Sequence, residues 1–240
     1  MNTEAPLDPR AALLLQDVRF SYPRAPRAAL DLPRLCVQRG ERLMLRGPSG
    51  CGKSTLLALS AGVLMPQQGR VELLGVDWAT LTPSARDSRR VDHVGYIFQQ
   101  FNLLPYLSAV DNVLLPCRFS RQRHQRAAAQ HGSPAAAAAT LLQALELPAA
   151  LHARRPLELS VGQQQRVAAA RALIGQPEIV IADEPTSALD EELRESFMRL
   201  LLSQCERTGC ALLFVTHDRR LAAHFDEVVD LPSLNQAQGS

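Results

Sequence analysis

Apolar positions along this chain fall into short runs separated by Gly, Pro and Arg-rich stretches, and two periods alternate along it. Residues 13–20 (LLLQDVRF) are strand-like and end at Ser21-Tyr22-Pro23. Residues 35–38, followed by Gly40, suggest a second strand and a turn into a third at 42–46. Leu56, Leu57 and Leu59 predict a helix over 53–62, and strands follow over 69–75 and 94–98. The stretch from about 108 to 147 reads as helical. Ser133-Pro134 gives it a fresh start, an N-cap followed by proline at the first helical position, and Ala137, Leu141 and Leu145 line one side.

The continuous apolar runs Ile179-Val180-Ile181-Ala182 and 211–215 (ALLFV) predict strands buried on both faces of a parallel sheet, with a helix over 189–207 between them. A last strand over 228–231 and a polar tail over 235–240 close the chain, leaving no room for a C-terminal regulatory domain. The pattern predicts one α/β unit carrying an inserted lobe.

At 240 residues such a unit buries roughly 70–75% of its unfolded surface. A net charge of +2 is too mild for a nucleic-acid reader, which carries a concentrated basic face. The basic, Gln-rich residues 118–126 read as a solvated face. Five cysteines, odd in number and scattered, suit a reducing compartment such as the cytosol. The first nine residues hold acids and prolines where a signal peptide needs a basic start and an apolar run. No stretch approaches the roughly 20 apolar residues of a membrane helix, so a membrane role would come from a partner.

Between the third strand and its helix lie Gly47, Pro48, Ser49, Gly50, Cys51, Gly52, Lys53, Ser54 and Thr55. They fit G-x-x-x-x-G-K-[ST], in which glycines let backbone N–H groups curl round a polyphosphate, Lys reaches the outer phosphates and a hydroxyl binds Mg²⁺. Lys53 is the only lysine in the chain. The helix that follows turns its positive end to the anion. Asp183 and Glu184 end the buried run at 179–182, and ligands in parallel sheets sit at such carboxyl ends. His217 stands at the end of the next run. Ser160 and Gln163 form a capping box, S-x-x-Q, and the turn with Gly162 also leaves free N–H groups able to take a phosphate from another surface. Tyr22 reads either as a ring that stacks on a purine or as a half-buried strand end. Gln99 alone reads as a solvated polar residue. Residues 101–106 (FNLLPY) are apolar enough for a docking surface or for local core.

LSVGQQQRVAAARAL (159–173) and IVIADEPTSALD (179–190), in that order after the phosphate loop, resemble the nucleotide-binding subunits of ABC transporters over nearly the whole chain. The resemblance implies a P-loop NTPase core of ABC ATPase type, α/β, with an antiparallel β subdomain and an inserted α-helical subdomain. It places core and β subdomain at 1–98 and 176–240 and the helical subdomain at 99–175. It implies that Tyr22 stacks on the adenine of ATP and that Gln99 lies near Mg²⁺ and the transmembrane partner. Asp183 would hold Mg²⁺ through water, Glu184 would polarise the attacking water, residues 187–190 would form an inter-subunit loop, and His217 would sense the γ-phosphate. Ser160 and Gly162 would face the γ-phosphate held by a second copy, giving a head-to-tail dimer with two ATP molecules at its interface.

Phosphoryl transfer needs charge neutralisation and an in-line water, which Lys53, Mg²⁺ on Ser54, Glu184 and His217 supply in kind. The family usually has glycine where this chain has Val161. Residues 97–105 (IFQQFNLLP) look most like the branch of lipoprotein-release, macrolide-efflux and cell-division ATPases, which implies permease subunits at the cytoplasmic face of the inner membrane and, for some members, a periplasmic adaptor. Two rivals are an ABC ATPase acting on nucleic acid and a nucleotide-gated scaffold. ATPases of the first kind tend to carry long coiled-coil or zinc-bearing insertions or a tandem second cassette, and none appears between Gln99 and Ser160; the second has no use for Glu184 and His217.

Overall fold

The strands sort into two sheets by the partners that their apolar faces require. The computed structural model describes residues 9–238. The start read against a signal peptide lies, as far as Asp8, outside the described residues, as do Gly239 and Ser240 of the tail. In chain order the strands are β1 (Ala11–Phe20), β2 (Leu30–Gln38), β3 (Arg42–Arg46), β4 (Gln68–Leu73), β5 (Val76–Asp77), β6 (Val94–Ile97), β7 (Ile179–Asp183), β8 (Ala211–Thr216) and β9 (Glu227–Asp230). One sheet is antiparallel in the order β2-β1-β4-β5, and the other is parallel in the order β6-β7-β8-β3-β9.

The continuous apolar runs are explained by the two faces of the parallel sheet. Ile179, Ile181, Leu213 and Val215 pack with Leu43, Leu45 and the antiparallel sheet. Val180, Ala182, Leu212 and Phe214 pack into a second core with the helices. Because β6, β7, β8 and β3 are parallel neighbours, the residues that follow Ile97, Ala182, Thr216 and Arg46 emerge along one edge of the sheet.

The helices are α1 (Lys53–Ser60), α2 (Pro83–His93), α3 (Ala109–Phe119), α4 (Arg121–His131), α5 (Pro134–Ala144), α6 (Val161–Leu173), α7 (Glu191–Thr208) and the single turn α8 (Leu231–Leu234). The stretch 108–147 breaks once more than its pattern suggests. Ser120 ends α3 and caps α4, accepting from the Arg123 N–H at 2.9 Å, and Gly132, at φ 78°, ends α4. Helix α2 left no apolar stripe to read because none of its residues is buried. It is capped by Thr82 and held by Arg89, which donates to the Leu73 carbonyl at 2.8 Å.

Three expectations are corrected. Strand β2 begins at Leu30 rather than 35: Pro33 within it is exposed on an edge strand, where its missing N–H breaks no ladder bond. Arg123, expected on a solvated face, is 2% exposed, and its guanidinium donates to the carbonyls of Ile174, Ala172 and Val94 at 2.7, 2.5 and 3.4 Å. Burial lowers its pKa to about 10. Asn235, expected to begin a polar tail, is buried. Its Oδ1 accepts from the Asp31 N–H at 2.8 Å, and its Nδ2 donates to the carbonyls of Ala29 and Cys51 at 3.1 and 3.3 Å.

Candidate functional site

At the carboxyl edge of the parallel sheet lies a cleft of about 760 Å³, lined by Tyr22, Ala28, Ala29, Ser49, Gly50, Gly52, Lys53, Ser54, Thr55, Gln99, Asp183, Glu184 and His217. Chain geometry assembles it. The phosphate loop leaves β3, Gln99 follows β6, Asp183 ends β7 and His217 follows β8, while Tyr22 arrives from the antiparallel sheet.

Within the loop, Gly52 has φ 104°, and a Cβ there would lie 2.8 Å from Leu30 Cδ2, so only glycine fits. Gly47 and Cys51 are buried beneath the cleft, and a Cβ on Gly47 would stand 2.6 Å from Cys51 Sγ. Pro48 does not line the cleft; its carbonyl serves Lys53 instead. Lys53 Nζ donates to the carbonyls of Gly47 and Pro48, each at 2.9 Å, and lies 3.4 Å from Glu184 Oε1. The lysine thus draws its own loop closed and carries its charge against the carboxylate on the facing strand end.

Glu184 has φ 43°, a left-handed conformation uncommon outside glycine, held by its N–H donating to the Val215 carbonyl at 2.9 Å. Its Oε2 lies 3.2 Å from His217 Nδ1. Burial pushes the Asp183 carboxyl up from its usual pKa, the neighbouring Glu184 charge adds to this, and Lys53 opposes both. Tyr22 places its hydroxyl 3.1 Å from Thr55 Oγ1 and packs edge-on against Phe20, leaving the ring 46% exposed at the cleft mouth.

Ser160, Gly162 and Gln163 do not line this cleft. They form the start of α6, where Ser160 Oγ accepts from the Gln163 N–H at 3.3 Å and Gln163 Oε1 accepts from the Ser160 N–H at 2.9 Å. Ser160 and Val161 are exposed, Gly162 half-buried. One chain therefore presents the cleft around Lys53 and, apart from it, a capped helix start that is exposed.

Side chains that the sequence reading passed over hold these parts in place. Gln165 Nε2 donates to the Pro185 carbonyl at 2.6 Å. Arg194 joins the 187–190 loop to the residue after His217, donating to the Leu189 carbonyl at 3.1 Å and to Asp218 at 2.7 Å. Arg171 donates to the carbonyls of Phe101 and Asn102 at 2.5 and 2.6 Å, just beyond Gln99. Phe101 is buried and Tyr106 is 69% exposed, so the 101–106 stretch is part core and part surface. These contacts span up to 70 positions and leave no local pattern.

A family profile described as ABC transporter matches residues 30–187. The chain is 43% identical over 219 residues to the lipoprotein-releasing system ATP-binding protein LolD of Anaeromyxobacter dehalogenans, covering 90% of this chain and 89% of that protein. It is 40% identical to the macrolide export ATP-binding/permease protein MacB of Sodalis glossinidius, covering 90% of this chain and 32% of that longer protein. Among solved structures it is similar to a dimeric post-hydrolysis state of the ATP-binding cassette MJ0796 bound to ADP and Pi. That similarity has a TM-score of 0.78 and 34% identity over 94% of this chain and 95% of the other.

Proposed function

Because the chain belongs to the ABC transporter family as one of its ATP-binding, ATP-hydrolysing subunits, we propose that two copies close head to tail over two ATP molecules and drive transmembrane partners. The observation that carries the reading is the split between the cleft around Lys53 and the Ser160 turn outside it. Neither half encloses a nucleotide alone. A two-fold pairing gives each cleft the other copy's Ser160, Gly162 and Gln163, so both sites are equivalent.

In this reading the phosphate-loop N–H groups and the positive end of α1 hold the β- and γ-phosphates, and Lys53 exchanges its contacts with Gly47, Pro48 and Glu184 for phosphate oxygens. Release from Lys53 frees Glu184 to orient the attacking water and draw on its proton, with His217 holding the other carboxylate oxygen and facing the γ-phosphate. Tyr22 stacks on adenine at the cleft mouth. The hydroxyl of Ser54, the amide oxygen of Gln99 and, through water, the carboxylate of Asp183 would hold Mg²⁺, which would neutralise phosphate charge.

A permease is the partner that the surface supports. Among the described residues no helix is long and apolar enough to cross a bilayer. An apolar groove of about 470 Å³ runs past Val63, Tyr96, Phe98, Leu115 and Phe119, and Phe98 adjoins Gln99. A transmembrane subunit seated there would press on the strand end that supplies Gln99, placing the protein peripherally at the cytoplasmic face of the inner membrane. A periplasmic adaptor would be reached through that subunit. The nucleic-acid alternative finds no support: the relatives named above are transporter components, and α3, α4 and α5, at 11 residues each, build no long coiled coil. The test is ATP turnover by the purified chain and by Glu184→Gln. The parent hydrolyses ATP and the variant does not; parental turnover in the variant removes Glu184 from its role.

A further inference from the structure

We propose that Gln165 is a positioning residue that sets the turn after Glu184 according to whether the Ser160 turn of the same chain has engaged the other copy's nucleotide. The proposal rests on the two-copy reading above. Gln165 lies on α6, five residues beyond Ser160, and is fully buried. Its Nε2 donates to the Pro185 carbonyl at 2.6 Å, whereas its Oε1 is buried with no hydrogen-bond partner. A core amide with one end unsatisfied is a poor choice for packing alone, because an apolar side chain of that size avoids the desolvation cost. The bond to Pro185 is what the amide supplies.

That carbonyl is well placed to govern Glu184. Glu184 is left-handed at φ 43°, its N–H is fixed on Val215, and its own carbonyl accepts from the Ser187 N–H at 3.2 Å. Pro185 has no N–H to offer, so its carbonyl, one peptide beyond that of Glu184, is the group by which a neighbouring element can grip the turn after Glu184. Helix α6 is that element. The reciprocal Ser160–Gln163 cap makes its first turns one stiff piece, so a shift of Ser160 onto a phosphate carries Gln165 with it and turns the Pro185 peptide. Hydrolysis in one cleft is thereby tied to occupancy of the other.

The test uses the full chain with Gln165→Met, which keeps length and removes the donor. The expected result is a kcat for ATP lowered by about tenfold or more with KM changed by less than about twofold. Tm should stay within about 3 °C of the parent. In a Glu184→Gln background, the ATP-dependent dimer should form with Kd within about threefold of Glu184→Gln alone. A packing role instead moves Tm, KM and kcat together, and that result overturns the proposal, as does a parental kcat. Should the methionine variant fail to fold, Gln165→Leu is measured the same way. Failure of Glu184→Gln itself to dimerise with ATP refutes the two-copy reading and this proposal with it. A normal dimer with parental kcat in Gln165→Met refutes this proposal alone.

Discussion

Asn235 Nδ2 donates to the carbonyl of Cys51 at 3.3 Å, so a residue 184 positions further along the chain holds a peptide group of the phosphate loop. The same side chain takes the Asp31 N–H and serves the Ala29 carbonyl, and Ala29 lines the cleft. Asn235→Ala strands these buried groups at a cost of about 2 kcal/mol. The expected outcome is a lower Tm and severalfold weaker ATP binding by titration. An unchanged nucleotide affinity would show that the loop holds its shape without Asn235.

Val161 occupies the first position of α6 with its side chain 46% exposed, and the space at Gly162 is bounded by Leu193, 3.8 Å from where a Cβ would stand. The valine therefore projects from the surface and leaves the glycine beside it free to approach a phosphate. Val161→Gly costs the helix about 0.5 kcal/mol and changes ATP turnover by less than about twofold. A rise of tenfold would show that valine crowds the join between copies.

Asp218 bonds to Arg220 and Arg194, and these partners outweigh its desolvation to hold its pKa at about 2. Its folded value lies below the unfolded value near 3.9, so its contribution is complete above about pH 4 and is lost as pH falls through about 2. Water reaches Arg220 and screens the pair, which limits the effect to about 1 kcal/mol. Asp218→Asn should flatten the acid limb of the stability curve between about pH 4 and 2 by that amount; an identical limb in both proteins would assign the acid loss to other carboxylates.

The parts of the site legible in the sequence are those whose chemistry is local. The glycine spacing around Lys53 and the run ending at Asp183 state both a backbone shape and the side chains it carries. The cap made by Ser160 and Gln163 is equally local, since three residues separate its partners. What escaped depends on distant partners. Arg123 looks solvated beside its basic neighbours and becomes core only because three carbonyls from 94 and 172–174 converge on it. Gln165 has no local partner to set it apart in the glutamine run 163–165, and its role depends on Pro185 arriving beside it. Helix α2 gave no apolar stripe because arginine-to-carbonyl bonds, rather than an apolar face, fasten it to the core.

The most direct measurement is the mass in solution of Glu184→Gln with and without Mg²⁺ and ATP, read by light scattering. The account predicts a chain of 26.3 kDa without nucleotide and twice that mass with ATP, returning to the smaller value when Ser160 is replaced by arginine in the same background. A protein that binds ATP and keeps the mass of one chain would contradict it.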